Sequence, residues 1–184
     1  MGFIIISAVL AVLILAYGLS VYNKLIRKRA MMEEGWSGID VQLKKRYNLI
    51  PNLVETVKGF AKHEQETLEK VIQARNSALN AQGVEGQQQA ENMLTKALGG
   101  IFALSEAYPE LKSNTNFLQL QQELASIEGD IEKARRYYNA TVRENNILVE
   151  SVPSNLVAGA FNFKLGPFFE IELEEERATP KVKF

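Results

Sequence analysis

The chain has 184 residues, no cysteine and a formal net charge of -1 at pH 7. Without thiols it has no disulfide or thiolate chemistry, and a charge near zero gives no general attraction for nucleic acid, so we expect no nucleic-acid binding. About 160 residues remain after an apolar N-terminal segment, which is enough for one domain with its own core.

The first predicted element is a transmembrane helix over residues 3–22, a run without any charged residue. Twenty residues rising about 1.5 Å each cross the roughly 30 Å hydrocarbon layer of a bilayer. Four basic residues follow at once, Lys24, Arg27, Lys28 and Arg29. The positive-inside rule then predicts an anchor over residues 1–23 in the inner (cytoplasmic) membrane, with the N-terminus outside and the rest of the chain in the cytoplasm.

A cleaved secretory signal is the alternative interpretation of this segment, because Ala16 and Gly18 form a small-x-small pair. A signal peptide carries its positive charges before the apolar run, whereas here they follow it, which favours the membrane anchor. N-myristoylation is not expected, because Ile6 stands where that signal requires Ser or Thr.

Helical spacing continues beyond the anchor without a Gly-Pro break, so we expect the membrane helix to enter the domain as one rod. Pro51 then interrupts the pattern. Because proline disfavours the helical conformation of the residue before it, the chain either reverses or kinks there. We predict a reversal, since the stretch before Pro51 and the stretch after it, residues 52–81, have similar lengths.

Three further helices are predicted over residues 52–81, about 87–107 and about 115–149, the third of which has the cleanest apolar heptad. Gly99 and Gly100 lie in the middle of the helix over residues 87–107. Each helix carries an apolar stripe that has to be buried, and the stripes can be buried against one another. The predicted fold is therefore all-α, a transmembrane helix continuing into an antiparallel four-helix up-and-down bundle over residues 24–150.

The C-terminal stretch, residues 151–184, changes character and predicts a short amphipathic turn followed by an extended aromatic and acidic tail. If the helices alternate in direction, the fourth helix delivers this tail near the bilayer surface. Phe161, Phe163, Phe168 and Phe169 then either pack on the base of the bundle or dock at the membrane or a partner. Packing is the favoured interpretation, because apolar residues near a core usually belong to it.

Residues able to support catalysis or bind metals do not occur in the required patterns. His63 is the single histidine, and Thr67 stands where a helical zinc motif needs a second one. Phe60 stands where the Glu-x-x-His motif of di-iron bundles needs its glutamate. A metal-independent carboxylate site stays open, although most acidic residues fall at solvent-facing positions. We therefore expect no enzymatic activity, no metal and no cofactor.

Six short segments carry a recognisable pattern in one order along the chain. They are IDVQLKKRYNLIPNLV at 39–54, VKGF at 57–60, HE at 63–64, AR at 74–75, YPELK at 108–112 and ARRYYN at 134–139. Together they resemble the LemA family of bacterial proteins. The resemblance implies a single-span protein with an outside N-terminus, a cytoplasmic antiparallel helical bundle and no established enzymatic activity. Its relatives include proteins of magnetosome membranes, and family genes often neighbour those of membrane-embedded zinc proteases.

The predicted function is that of a non-enzymatic membrane-anchored scaffold or adaptor, whose partners are the membrane and either a protein or further copies of itself. One alternative is an accessory factor of a membrane-embedded protease or other membrane enzyme. Another is binding of a small apolar ligand in the bundle, lined by Thr141 and Asn145. The candidate interaction residues are Trp36, Asp40, Arg46, Tyr47, Pro51, Phe161, Phe163, Phe168 and Phe169.

Overall fold

The computed structural model describes residues 1–170, and every regular element in that part of the chain is an α-helix. The helices are α1 (Gly2–Phe60), α2 (Gln65–Asn80), α3 (Gly83–Ala107), α4 (Pro109–Lys112), α5 (Thr115–Glu150) and α6 (Ser154–Ala160). The predicted all-α class is confirmed. Most of the extended tail predicted at the C-terminus lies outside the described residues.

Helix α1 begins with the apolar segment and is long and apolar enough to cross a membrane. The large apolar side chains from Phe3 to Leu19 are exposed, and only 6% of the most apolar 18-residue window is buried. Apolar area left in water costs about 25 cal/mol per Å². The core helix of a soluble protein would bury this face, so its exposure agrees with contact to lipid.

The reversal predicted at Pro51 is wrong, because α1 continues through this residue to Phe60. A proline inside a helix lacks the N–H that would bond the carbonyl four residues earlier, here that of Tyr47. In the structure, Nε of Arg75 on α2 donates a 2.8 Å hydrogen bond to the Tyr47 carbonyl oxygen. Arg75 therefore supplies the hydrogen-bond donor that Pro51 lacks, and α1 stays helical through the proline.

The chain reverses instead at residues 61–64, which the apolar spacing assigns to the interior of a helix. The Glu64 amide donates to the Ala61 carbonyl at 3.2 Å, and α2 begins at the next residue. The bond from Arg75 to Tyr47 shows that α2 then runs back along α1. The predicted helix over residues 52–81 is thus divided between the end of α1 and α2.

The other predicted helices are confirmed with small shifts of their ends. Helix α3 begins at Gly83, whose φ of 72° is a conformation that glycine adopts without steric cost. Gly99 and Gly100 remain helical inside it. Helix α5 begins at Thr115, where the Asn114 side-chain oxygen accepts a 3.0 Å hydrogen bond from the Phe117 amide. This is the bond by which asparagine caps a helix N-terminus.

Residue contacts divide the chain into two compact units, and each unit combines stretches that are distant in sequence. Unit 1 contains residues 1–38 and 134–168, and unit 2 contains residues 39–133 together with Phe169 and Glu170. The divisions fall inside α1 and α5, so both long helices contribute to both units. The boundaries predicted after residues 23 and 150 separate the anchor, the bundle and the C-terminal stretch. The division by residue contacts does not test them, so they stay predictions.

In unit 1, the second half of α5 runs antiparallel to the first part of α1. The Trp36 ring lies 5.5 Å from the Tyr138 ring, and Lys28 forms an ion pair with Glu144. A Cβ atom added to Gly35 would lie 3.2 Å from the Tyr138 Cα, so glycine permits a close approach of the two helices. The core of this unit is formed by Val21, Leu25 and Ala158, with Leu148, Val149, Val157 and Phe163 packed against it.

Unit 2 buries one apolar stripe from each long helix that enters it. Helices α2 and α3 contact each other along their lengths, and the Phe102 and Phe117 rings lie 6.5 Å apart between α3 and α5. Its largest fully buried apolar side chains include Ile50 and Leu53 of α1, Leu94 and Ile101 of α3, Leu111 of α4 and Phe117 and Ile131 of α5.

Replacing Arg75 by methionine should lower the free energy of unfolding by about 1–3 kcal/mol, because the carbonyl of the buried Tyr47 loses its donor. Denaturant titration of the full chain in detergent measures the change. Lys70→Met, at an exposed position of the same helix, is the control and should change stability by less than about 0.5 kcal/mol.

Pro51→Ala provides the decisive comparison, because alanine restores a backbone N–H for the Tyr47 carbonyl. Its stabilising effect should be larger by about 1 kcal/mol in the Arg75→Met background than in the wild type. Equal effects in the two backgrounds would show that Arg75 does not replace the missing donor.

Candidate functional site

A cluster of charged and polar side chains lies within unit 2. It consists of Arg46 and Tyr47 on α1, Gln87, Glu91 and Thr95 on α3, and Glu128 on α5, and is called the Arg46 cluster below. Arg46 is only 3% exposed, and Glu91 is fully buried. Removing a charge from water costs several kcal/mol unless the charge is paired and hydrogen-bonded. Most of unit 2's buried side chains are apolar, which makes this cluster its most unusual feature.

The Arg46 guanidinium connects three helices. Its Nη1 lies 3.1 Å from Glu91 Oε2 on α3 and 3.4 Å from Glu128 Oε2 on α5. Its Nη2 donates a 2.9 Å hydrogen bond to the Thr95 hydroxyl. Because Glu128 is about half exposed and Glu91 is not, one carboxylate reaches the guanidinium from the surface and the other from the interior.

The second oxygen of the Glu91 carboxyl is also occupied. It accepts hydrogen bonds from the Tyr47 hydroxyl and from Gln87 Nε2, the latter at 3.1 Å. Gln87 Nε2 also lies 2.7 Å from the Tyr47 hydroxyl and 3.2 Å from the Ala78 carbonyl oxygen. The whole carboxyl group is therefore held in one orientation, and the amide extends the network to α2.

Burial dominates the protonation behaviour of the cluster. It raises the pKa of Glu91 above its ordinary range, while the hydrogen bond from Tyr47 and the charge of Arg46 act in the opposite direction. Burial also raises the pKa of Tyr47, and the neighbouring Glu91 adds to this shift. The phenol thus stays neutral, and its hydroxyl donates a hydrogen bond to the Glu91 carboxyl.

The raised pKa of Glu91 predicts a pH-dependent contribution to stability. A carboxyl group whose pKa is higher in the folded chain favours folding when protonated, so its contribution is fully present below the ordinary pKa of about 4.3 and is lost as the pH rises through the folded value. The wild type should therefore lose stability relative to Glu91→Gln from about pH 4 upward, measured by denaturant titration at each pH. Glu69→Gln, at an exposed position, is the control; a stability difference between wild type and Glu91→Gln that does not change with pH would contradict this account.

An open cleft adjoins the Arg46 cluster between α3 and α5, with a volume of about 380 Å³. Its lining combines apolar and polar groups. The lining residues are Leu98, Gly99, Phe102, Gln121, Leu124 and Ala125, together with Arg46, Thr95 and Glu128 of the cluster. Thr141 and Asn145, the predicted pocket residues, belong to unit 1 instead. The Thr141 hydroxyl donates a 2.7 Å hydrogen bond to the Tyr138 carbonyl oxygen, and Asn145 Nδ2 donates a 3.2 Å hydrogen bond to the Lys164 carbonyl oxygen.

The candidate interaction residues of α1 divide between the interior and the surface. Arg46 and Tyr47 are buried in the cluster just described. Trp36 is half-buried against Tyr138. Asp40 accepts a 2.6 Å hydrogen bond from Lys44 one turn later, and Pro51 is exposed. Of these five residues, only Pro51 is fully at the surface.

The four candidate phenylalanines also occupy different environments. Phe161 is 62% exposed although its ring lies 4.7 Å from the Tyr22 ring, and Phe163 is half-buried at 5.8 Å from the same ring. Phe168 is 43% exposed, whereas its neighbour Phe169 is fully buried. The tail therefore contains both a packed aromatic side chain and exposed ones.

Gln87, Glu91 and Thr95 are site residues that the sequence interpretation misses. They recur every fourth residue on α3, so they lie on one face of the helix. Glu91 stands between the buried Ala90 and Leu94, where a stripe facing the core would normally be apolar. A glutamate inside an apolar stripe is the signal that could have revealed the cluster.

Comparison with known proteins gives one family and several relatives. The model of the LemA family matches residues 35–184. The chain is 25% identical over 137 residues to Protein LemA of Metamycoplasma hominis, which covers 74% of this chain and 63% of that protein. Magnetosome proteins MamQ 1 and MamQ 2 of Paramagnetospirillum magneticum are each 24% identical over an alignment of 192 positions, covering 90% of this chain and 71% of theirs. The chain thus spans less than two thirds of the Metamycoplasma relative.

Proposed function

This chain belongs to the LemA family, and we propose that it is a non-enzymatic, single-pass membrane protein that acts as a scaffold or adaptor through helix–helix contacts or self-association. One observation carries the proposal. Helix α1 runs unbroken for 59 residues, exposing apolar side chains in its first third and supplying core residues to the helical units beyond. Because no flexible linker separates the two parts, the anchor is built into the folded protein.

The proposed topology places the N-terminus outside and the helical units at the cytoplasmic face of the inner membrane. The four basic residues that follow the apolar run support this orientation through the positive-inside rule. We further propose that α1, α2, α3 and α5 are the members of an antiparallel four-helix up-and-down bundle. Two relatives are magnetosome proteins, and their likeness supports a membrane-associated role for this chain.

Helix α2 offers a surface suited to a partner helix. Ile72 and Leu79 are exposed and stand seven residues apart, the spacing at which apolar side chains face a neighbouring helix in a coiled coil. Two exposed apolar side chains at this spacing support a role in association. We propose that a second copy of the chain contacts this face.

Cysteine crosslinking tests self-association, because the chain has no native cysteine. Ile72→Cys and Leu79→Cys should each form a disulfide-linked dimer on mild oxidation of membranes, whereas Lys70→Cys, about 200° around the helix from Ile72, should not. Capture of a membrane enzyme by a photo-crosslinker at Ile72 would instead support the accessory-factor alternative. A protein that is monomeric after mild detergent extraction, without a co-purifying partner, would refute the scaffold and adaptor roles.

Binding of a small apolar ligand is a second candidate function, favoured by the cleft between α3 and α5. Apolar walls with a small number of polar groups are typical of ligand sites. Native mass spectrometry of the full chain should then show a bound molecule that is lost in Ala125→Trp, which fills the cleft, and kept in Ser126→Trp, at the exposed neighbouring position. A wild-type protein without any bound molecule would contradict this function.

A further inference from the structure

Unit 1 brings the end of α5 to the end of the apolar run of α1. The two helices run antiparallel. Tyr138 lies against Trp36, and Glu144, which is further along α5, pairs with Lys28, which is earlier on α1. Leu148 and Val149 in the last turn of α5 then pack against the core cluster that contains Val21, one residue before the end of the apolar run. Helix α5 therefore ends at the depth where the predicted membrane span ends.

Aromatic contacts place the chain after α6 at the same depth. The Phe161 and Phe163 rings lie 4.7 and 5.8 Å from the ring of Tyr22, the last residue of the apolar run. Tyrosine and tryptophan side chains are enriched where a membrane meets water, which suits Tyr22 to this position. Phe161 and Tyr22 thus form an aromatic pair at the boundary of the proposed span.

The outer surface of this region is apolar where a soluble protein would be polar. Val152 is 80% exposed and Leu156 is 72% exposed, and Phe161 completes the exposed group. Ala158, on the opposite side of α6, is buried against Val21 and Leu25. One side of α6 is therefore used for packing, while Leu156 on its other side and Val152 in the preceding turn are exposed.

The charges around this surface are suited to acidic lipid headgroups. Residues 151–164 contain no acidic residue, and the exposed Glu150 immediately precedes them. The Arg29 guanidinium lies 5.7 Å from the centre of the Phe163 ring, roughly 10 Å along α1 from Tyr22 by the helical rise. Basic side chains at this depth lie at the level of the headgroups and attract anionic lipids.

We infer that residues 151–163, comprising the α5–α6 turn, α6 and the following turn, form a second membrane contact beside the transmembrane segment. Val152, Leu156 and Phe161 enter the boundary between the headgroups and the acyl chains of an anionic phospholipid bilayer, as the apolar face of an interfacial helix does. This contact goes beyond anchoring and scaffolding. Because it lies to one side of the span, it fixes the rotation of unit 1 about the membrane normal.

Spin labels on single cysteines test this contact in the full chain, since the native protein has no cysteine. The protein is reconstituted into vesicles of phosphatidylcholine and phosphatidylglycerol, with labels at Val152→Cys or Leu156→Cys. Tyr137→Cys is the control, because Tyr137 is an exposed aromatic residue of the same unit next to Tyr138, which lies at the level of Trp36. Val152 lies in a turn outside the unit 1 core, so its replacement leaves that core intact.

Labels at positions 152 and 156 should be several-fold more accessible to oxygen relative to a water-soluble nickel chelate than the label at position 137. Accessibility equal to that of the control would overturn the inference. A label at position 156 that is shielded from both reagents, with spin–spin broadening that disappears on dilution with unlabelled protein, would also overturn it, because a second copy would then cover the surface.

Discussion

Replacing Arg46 by methionine is expected to lower the free energy of unfolding by about 3–5 kcal/mol near neutral pH. Methionine is unbranched and fills most of the volume of the arginine stem, so the loss is mainly electrostatic. The substitution removes the guanidinium that lies 3.1 Å from the fully buried Glu91 carboxylate and 3.4 Å from that of Glu128. The buried Glu91 carboxylate is then left without a counter-charge. Either it takes up a proton or the protein unfolds and exposes it to water.

The pH dependence of this loss identifies its cause. Burial already raises the pKa of Glu91, and removing Arg46 takes away a charge that opposes the shift. At about pH 5 the carboxyl accepts a proton more readily than at about pH 8, so Arg46→Met should cost less at the lower pH. Denaturant titration at the two pH values measures the difference.

Two further variants separate the buried pair from a general effect of losing a positive charge. Lys45→Met removes an exposed charge from the adjacent position and should change stability by less than about 0.5 kcal/mol. Adding Glu91→Met to Arg46→Met should recover much of the loss, because an apolar pair replaces the ionic one. A loss in Arg46→Met no larger than that in Lys45→Met would show that the Arg46 cluster does not stabilise unit 2.

Most of the helices could be predicted because the apolar spacing that indicates a helix lies within the helix itself. The apolar heptad of α5 gave bounds of 115–149 against the observed Thr115–Glu150. Pro51 shows the limit of local reasoning, since the rule that proline ends a helix is overridden by Arg75 on another helix. The turn at residues 61–64 carries neither glycine nor proline, so nothing in its composition distinguishes it from a helix interior.

The candidate site was less predictable, for a related reason. Arg46 ends a basic run that is usually a solvated helix face, and only the position of Glu91 on α3 explains why it is buried. The pairing joins residues that are 45 positions apart, which no helical periodicity can show. The position of Phe169 is a comparable case, because two adjacent phenylalanines offer no local reason for one to be buried and the other exposed.

Phe169→Ala is expected to lower the free energy of unfolding by about 3–5 kcal/mol, because it removes a fully buried ring and leaves a cavity. The next residue supports a packed position, since the Glu170 amide donates a 3.1 Å hydrogen bond to the Gln88 side-chain oxygen on α3. Phe168→Ala is the matched control and should cost less than about 1 kcal/mol, because Phe168 is 43% exposed. Denaturant titration of both variants in detergent gives the comparison. Equal and small losses would mean that the start of the C-terminal tail is not part of the core, and would favour a docking role for its aromatic residues.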